Sequence, residues 1–123
     1  MLINLTNHPS KNWDKEQFKE AELKFGEIVD IPFPYINTHT TLQEIMLTVN
    51  EYLLKITDLL NKTNNKLNAV HISGEFVFVY NMVKILQDNN IKAITSVTER
   101  NVITEANGAK TSIFAFKGFR PYF

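Results

Sequence analysis

The hydrophobic residues of this chain fall into short solid runs separated by longer stretches with a single apolar stripe, the rhythm of strands alternating with helices. Leu2 to Thr6 is the first solid run; it breaks into Asn7-His8-Pro9-Ser10. From Asp14 to Phe25 the apolar residues Phe18, Ala21, Leu23 and Phe25 sit among charged ones, which predicts an amphipathic helix that Gly26 can end. Ile28 to Phe33 reads as a second strand, stopped by Pro32 and Pro34 because proline donates nothing to a sheet ladder. A loop carrying Tyr35, Asn37 and His39 follows. Thr40 or Thr41 then caps a helix whose apolar positions Leu42, Ile45, Met46, Val49, Leu53, Ile56 and Leu60 keep helical spacing, and whose end is lost in the polar run Asn61 to Asn65.

Leu67 to Ile72 predicts a central strand, Ser73-Gly74-Glu75 a turn, and Phe76 to Gln87 a helix closed by Asp88-Asn89-Asn90. Ile91 to Val97 predicts a fourth strand, with Thr98 to Arg100 at or just beyond its end. There the rhythm changes. Val102-Ile103-Thr104 and Thr111 to Phe116 flank Asn107-Gly108, a strong hairpin signal. Three βα units followed by a hairpin predict one α/β domain over residues 1–123, a mostly parallel, doubly wound sheet with an antiparallel C-terminal edge.

Composition narrows the chemistry. A chain of 123 residues, 44% hydrophobic and 21% charged, is long enough for one core that buries roughly two-thirds of its unfolded surface. Formal net charge is zero, so no global field advertises a polyanion and no duplex nucleic acid is expected. The segment from Lys110 onward is locally basic, with Lys117 and Arg120 and no Asp or Glu, enough for a small anionic ligand. The absence of cysteine removes disulfides, thiolate nucleophiles and cysteine metal sites. His8, His39 and His71 have no recognisable ligand spacing, so neither a metal nor a cofactor is expected. No run approaches the roughly 20 apolar residues that span a bilayer, and no secretory signal opens the chain, so a cytoplasmic protein without membrane contact is the expectation.

In open α/β sheets ligands bind beyond the carboxyl ends of the strands. That edge would gather the turn at His8, the loop after Phe33, the turn at Gly74 and the segment around Glu99-Arg100. Each has a plain reading beside a functional one. In Asn7-His8-Pro9-Ser10 the proline fixes φ and the polar side chains bond locally; alternatively, backbone amides and Ser10 beside a helix start bind phosphate, His8 exchanges a proton, and Lys11 adds charge. Gly74 relieves close packing or admits a ligand, with Ser73 donating a hydrogen bond; Glu75 favours the helix start or takes a ribose hydroxyl. This turn is no G-x-G-x-x-G fingerprint. Thr98-Glu99-Arg100-Asn101 is a solvated turn, or Arg100 offers its fork to a phosphate. Trp13, Phe33 and Tyr35 pack at the rim or stack on a base, whereas His71, inside an apolar strand, reads as a hydrogen-bonded core residue.

The polar-His-Pro turn after a short first strand, the Ser73-Gly74-Glu75 turn and the terminal hairpin together resemble the small CRISPR-associated ring-nuclease proteins, related in fold to the CRISPR-associated Rossmann-like sensor domains. The resemblance implies a Rossmann-like three-layer fold. It also implies a homodimer that binds cyclic oligoadenylate, a second messenger, at the strand carboxyl ends, and cleavage of that ring without a metal, which turns off an antiviral signal. By the same resemblance His8 is the acid or base, Ser10 and Ser73 are hydrogen-bond donors, and Lys11 and Arg100 stabilise charge; Asn7, Trp13, Phe33, Gly74, Glu75, Thr98 and Glu99 complete the expected ligand surface. Two other classes compete. One is a protein-interaction module docking through the aromatic tail Phe116, Phe119, Tyr122 and Phe123. The other is a flavodoxin-shaped enzyme, which the opening turn disfavours because it lacks a Ser/Thr-rich phosphate loop.

Overall fold

The computed structural model describes residues 1–63 and 67–123. The first apolar run is strand β1 (Leu2–Leu5), and the striped segment behind it is helix α1 (Lys15–Phe25). Asp14 starts that helix by accepting the Gln17 N–H at 2.8 Å, and Gly26 ends it at φ 79°, a backbone state that costs glycine little. Strand β2 is only Ile28–Asp30, shorter than the expected run to Phe33. The Ile31 N–H still reaches the Asn4 carbonyl at 2.9 Å, but Pro32 has no N–H to continue the ladder. Helix α2 (Leu42–Leu60) begins at Thr41 in a reciprocal capping box with Glu44, while Thr40 bonds into the preceding turn with Asn37. Of the polar run expected to close it, Asn64 and Asn65 lie outside the described residues.

Strand β3 (Ala69–Ile72) and helix α3 (Phe76–Asp88) follow as expected, and the chain then differs from its predicted outline. Strand β4 runs unbroken from Ala93 to Thr104 and pairs antiparallel with β5 (Lys110–Pro121) along its whole length. The polar residues Thr98 to Asn101, expected as a turn, are strand. Polarity there does not oppose a strand, because beyond the sheet the two form a ribbon wet on both sides, where the ladder bonds of β5 are the only requirement. The fourth strand and the first hairpin arm are thus one strand. Opposite Val97 and Thr98 the register shifts, and β5 carries one extra residue, Lys117, as a bulge beside Gly118.

The five strands form one sheet in the order β2-β1-β3-β4-β5, parallel except for the last pair. Helices α2 and α3 cover one face over Ile3, Leu5, Val70 and Ile72, while α1 covers the other over Leu2, Ala69 and Ile94. This is the three-layer, Rossmann-like α/β architecture. Burial of the strands on both faces explains why their sequences read as solid apolar runs. Among the described residues no helix is long and apolar enough to cross a membrane.

Candidate functional site

On the α1 face the apolar floor gives way, one pleat nearer the strand carboxyl ends, to polar side chains. Asn4 of β1 and His71 of β3 are register partners, 1% and 3% exposed. A polar group buried this deeply must be bonded. Asn4 Nδ2 donates to Asp30 Oδ1 at 2.7 Å and to the His8 carbonyl at 2.9 Å. Two acceptors facing that nitrogen fix the amide's orientation, so Asn4 Oδ1 is the atom 3.0 Å from His71 Nδ1. His71 therefore carries its hydrogen on Nδ1, and Nε2 accepts from the Ser96 hydroxyl at 2.7 Å. Ser96 Oγ in turn accepts from Gln17 Nε2 of α1 at 3.2 Å. The row is extended on its other side by Ser10, whose amide and hydroxyl donate to the two Asp30 oxygens at 3.0 and 2.7 Å. One chain of hydrogen bonds thus crosses four strands, and no buried side-chain nitrogen or oxygen among the described residues lacks a partner.

The network sets its own charges. Burial, and then the charge of His8, hold the His71 imidazole down at about 4, so it is neutral at pH 7. Burial alone would push the Asp30 carboxyl up, but hydrogen bonds from Asn4 and Ser10 and the nearby Lys11 ammonium outweigh it and hold the group below its ordinary range. Trp13 packs edge-on to the His71 ring, centroids 5.3 Å apart, and its indole N–H donates to the His8 carbonyl at 3.0 Å.

Beside this row opens a cleft of about 370 Å³. Thr6, His8, Ser73, Ser96 and Thr98 contribute polar groups to its lining, and Trp13, Phe114 and Phe116 contribute aromatic ones. Of the residues expected at the site, the fold brings His8, Trp13, Ser73 and Thr98 together here. Asn7, Phe33 and Glu75 border a separate hollow. Phe33 stacks edge-on to Phe78 at 5.2 Å and fills the space over Gly74, where an added Cβ would lie 2.4 Å from its ring. Glu75 caps α3, its carboxylate accepting Val77 and Phe78 N–H groups at 3.0 and 2.8 Å. Ser10 is committed to Asp30, with Lys11 exposed alongside. Glu99 pairs with Lys117 at 3.4 Å and Arg100 donates to Ser112 at 3.0 Å, both on the exposed ribbon outside the cleft lining. The aromatic tail is largely consumed within the chain. Phe116 is buried, Phe119 packs on Phe25 and His71, and the Tyr122 hydroxyl donates to the Ile72 carbonyl at 2.7 Å.

Asn4, Asp30, Ser96, Gln17 and Phe114 went unread in the sequence. One signal for the first was available: in Leu2 to Thr6 the inward alternation Leu2, Asn4, Thr6 puts polar groups on a core-facing row, and His71 repeats it in β3.

The model of the family described as "Uncharacterized protein MJ1673 family" matches residues 1–120. The chain belongs to that family. No curated protein and no solved structure matches it.

Proposed function

We propose that this protein binds a cyclic oligoadenylate second messenger and cuts it by metal-independent phosphodiester transesterification, acting in the cytoplasm as an off-switch of CRISPR type III signalling. The observation that carries the reading is the meeting of aromatic faces and hydroxyl and imidazole groups in one cleft at the carboxyl edge of a parallel sheet. Phe114 and Trp13 suit a stacked base, and Thr6, Ser73 and Thr98 suit the hydrogen-bonding edge of a base or the oxygens of a ribose and phosphate. His8, in the same lining, is the acid candidate.

The cleft's volume, about 370 Å³, lies near the small end of ligand pockets, which run to roughly 1,000 Å³, so a ring of several nucleotides would extend past it. A second copy, facing the first across a two-fold axis, would take up the remainder. The uncovered apolar residues Val102, Ile103, Ile113 and Phe114 on a two-stranded ribbon support such a homodimer, since an isolated ribbon of that kind is marginal in water. The test is incubation with labelled cyclic oligoadenylates of several ring sizes in the presence of a chelator. Binding with cleavage is expected. Neither binding nor turnover at any ring size sinks the proposal, and His8→Ala should slow cleavage without altering the fold.

A further inference from the structure

The polar row beneath the cleft has a direction. From Ser96 to Asp30 the hydrogens point one way: Ser96 donates to His71 Nε2, His71 Nδ1 donates to Asn4 Oδ1, and Asn4 Nδ2 donates to the Asp30 carboxylate. A hydroxyl has one hydrogen and two lone pairs. In Ser96 the hydrogen goes to His71, one lone pair takes the Gln17 amide, and one lone pair is left in a side chain that lines the cleft. We propose that Ser96, backed by His71, receives the proton of the bound ligand's ribose 2′-hydroxyl; the inference rests on the nucleotide reading above and names the group that starts its chemistry.

The step balances without a co-reactant. The 2′-oxygen bonds to the adjacent phosphorus as its proton passes to Ser96 Oγ and the proton of Ser96 passes to His71 Nε2. The P–O5′ bond breaks, and the leaving 5′-oxygen takes a proton from the His8 imidazolium in the same cleft. The products are a 2′,3′-cyclic phosphate and a 5′-hydroxyl, and the two histidines exchange their protons back with solvent. The imidazolium formed at His71 is stabilised through Asn4 by the Asp30 carboxylate, and hydrogen bonds aligned in series strengthen one another in a poorly solvated interior. His71 stands unprotonated at neutral pH, and an incoming phosphate charge raises its affinity for the proton. Ser96 is thus a catalytic residue in contact with substrate, whereas His71 acts through it.

The test uses the full chain with cyclic oligoadenylate. Ser96→Ala should lower kcat by about 10²–10⁴-fold, the usual worth of positioned proton transfer, with Kd changed less than about threefold, and Ser96→Thr should restore part of the rate. A ligand whose 5′-oxygen is replaced by sulfur needs no acid for departure. It should rescue His8→Ala but neither Ser96→Ala nor His71→Gln, a split that a merely structural loss would not produce. Ser96→Ala cutting at the wild-type rate overturns the inference and leaves the nucleotide reading intact. Independently of any variant's folding, wild-type protein must yield the 2′,3′-cyclic phosphate and must bind a 2′-O-methyl ligand without cutting it. A hydrolytic product from water attack, or binding without any cleavage, also overturns the inference, and absence of binding overturns both.

Discussion

Lowering the pH should loosen this fold through His71 before it reaches the carboxylates. In the unfolded chain the imidazole takes up a proton near its ordinary value of about 6.5; in the folded chain, buried against Trp13 and Phe119 with both ring nitrogens engaged, it refuses one until about pH 4. Between those values the unfolded state binds more protons than the native state, so stability is full above pH 6.5 and drains as pH falls. At roughly 1.4 kcal/mol per pH unit, the gap is worth about 3 kcal/mol, a large share of the 5–15 kcal/mol that holds a typical domain. Urea titrations at half-unit steps from pH 7.5 to 4.5 should lose most of that amount, with a fall in Tm on the order of 10 °C. The depressed Asp30 carboxyl adds its loss only at lower pH, below its ordinary 3.8. His71→Gln should be less stable than the parent at pH 7 yet nearly flat across the window. An equal slope in that variant, or an NMR titration of His71 centred near 6.5, would refute the reasoning.

Other expectations follow from single contacts. Asn4→Ala removes a side chain that donates twice and accepts twice in a buried site, and leaves His71 Nδ1 unbonded, so a loss of about 2–4 kcal/mol in denaturant titration is expected. Gly74→Ala places a methyl against the Phe33 ring at φ 150°, and should cost about 1–3 kcal/mol by the same assay; parent-like stability would mean that Phe33 is not held there by Phe78. Phe114→Ala should weaken ligand affinity by about 1–3 kcal/mol in calorimetry while leaving Tm unchanged, because this residue is 64% exposed on the ribbon.

The architecture was legible because burial on both sheet faces imposes local signals: solid apolar strands, striped helices, and the Asn107-Gly108 turn. The site was half legible. His8, Trp13, Ser73 and Thr98 could be placed at the strand edge by topology alone. What topology does not specify is which polar groups consume one another. Ser10 looks like a free donor until Asp30, twenty residues on, takes both of its hydrogens. Arg100 lies on the exposed ribbon, where antiparallel pairing brings Ser112 beside its Nε, and it is not among the residues that line the cleft. Ser96 has no motif around it, and its role appears only when β3 brings His71 to within 2.7 Å.

The bulge at Lys117 decides which side of the ribbon faces the cleft. Phe116 and Phe119 are three positions apart, an odd interval that in a regular strand would point them to opposite sides, yet their rings meet at 5.0 Å. The bulge restores their parity, and with it aims Phe114 at the cleft, leaving Glu99 and Lys117 on the reverse. A chain of the same length that paired regularly here, without the bulge, would set Lys117 opposite Thr98 and present Ile113 and Ala115 where Phe114 and Phe116 now stand. The ribbon therefore works as a reversible printing plate, and the bulge, rather than the identity of the residues along it, selects the face that borders the cleft.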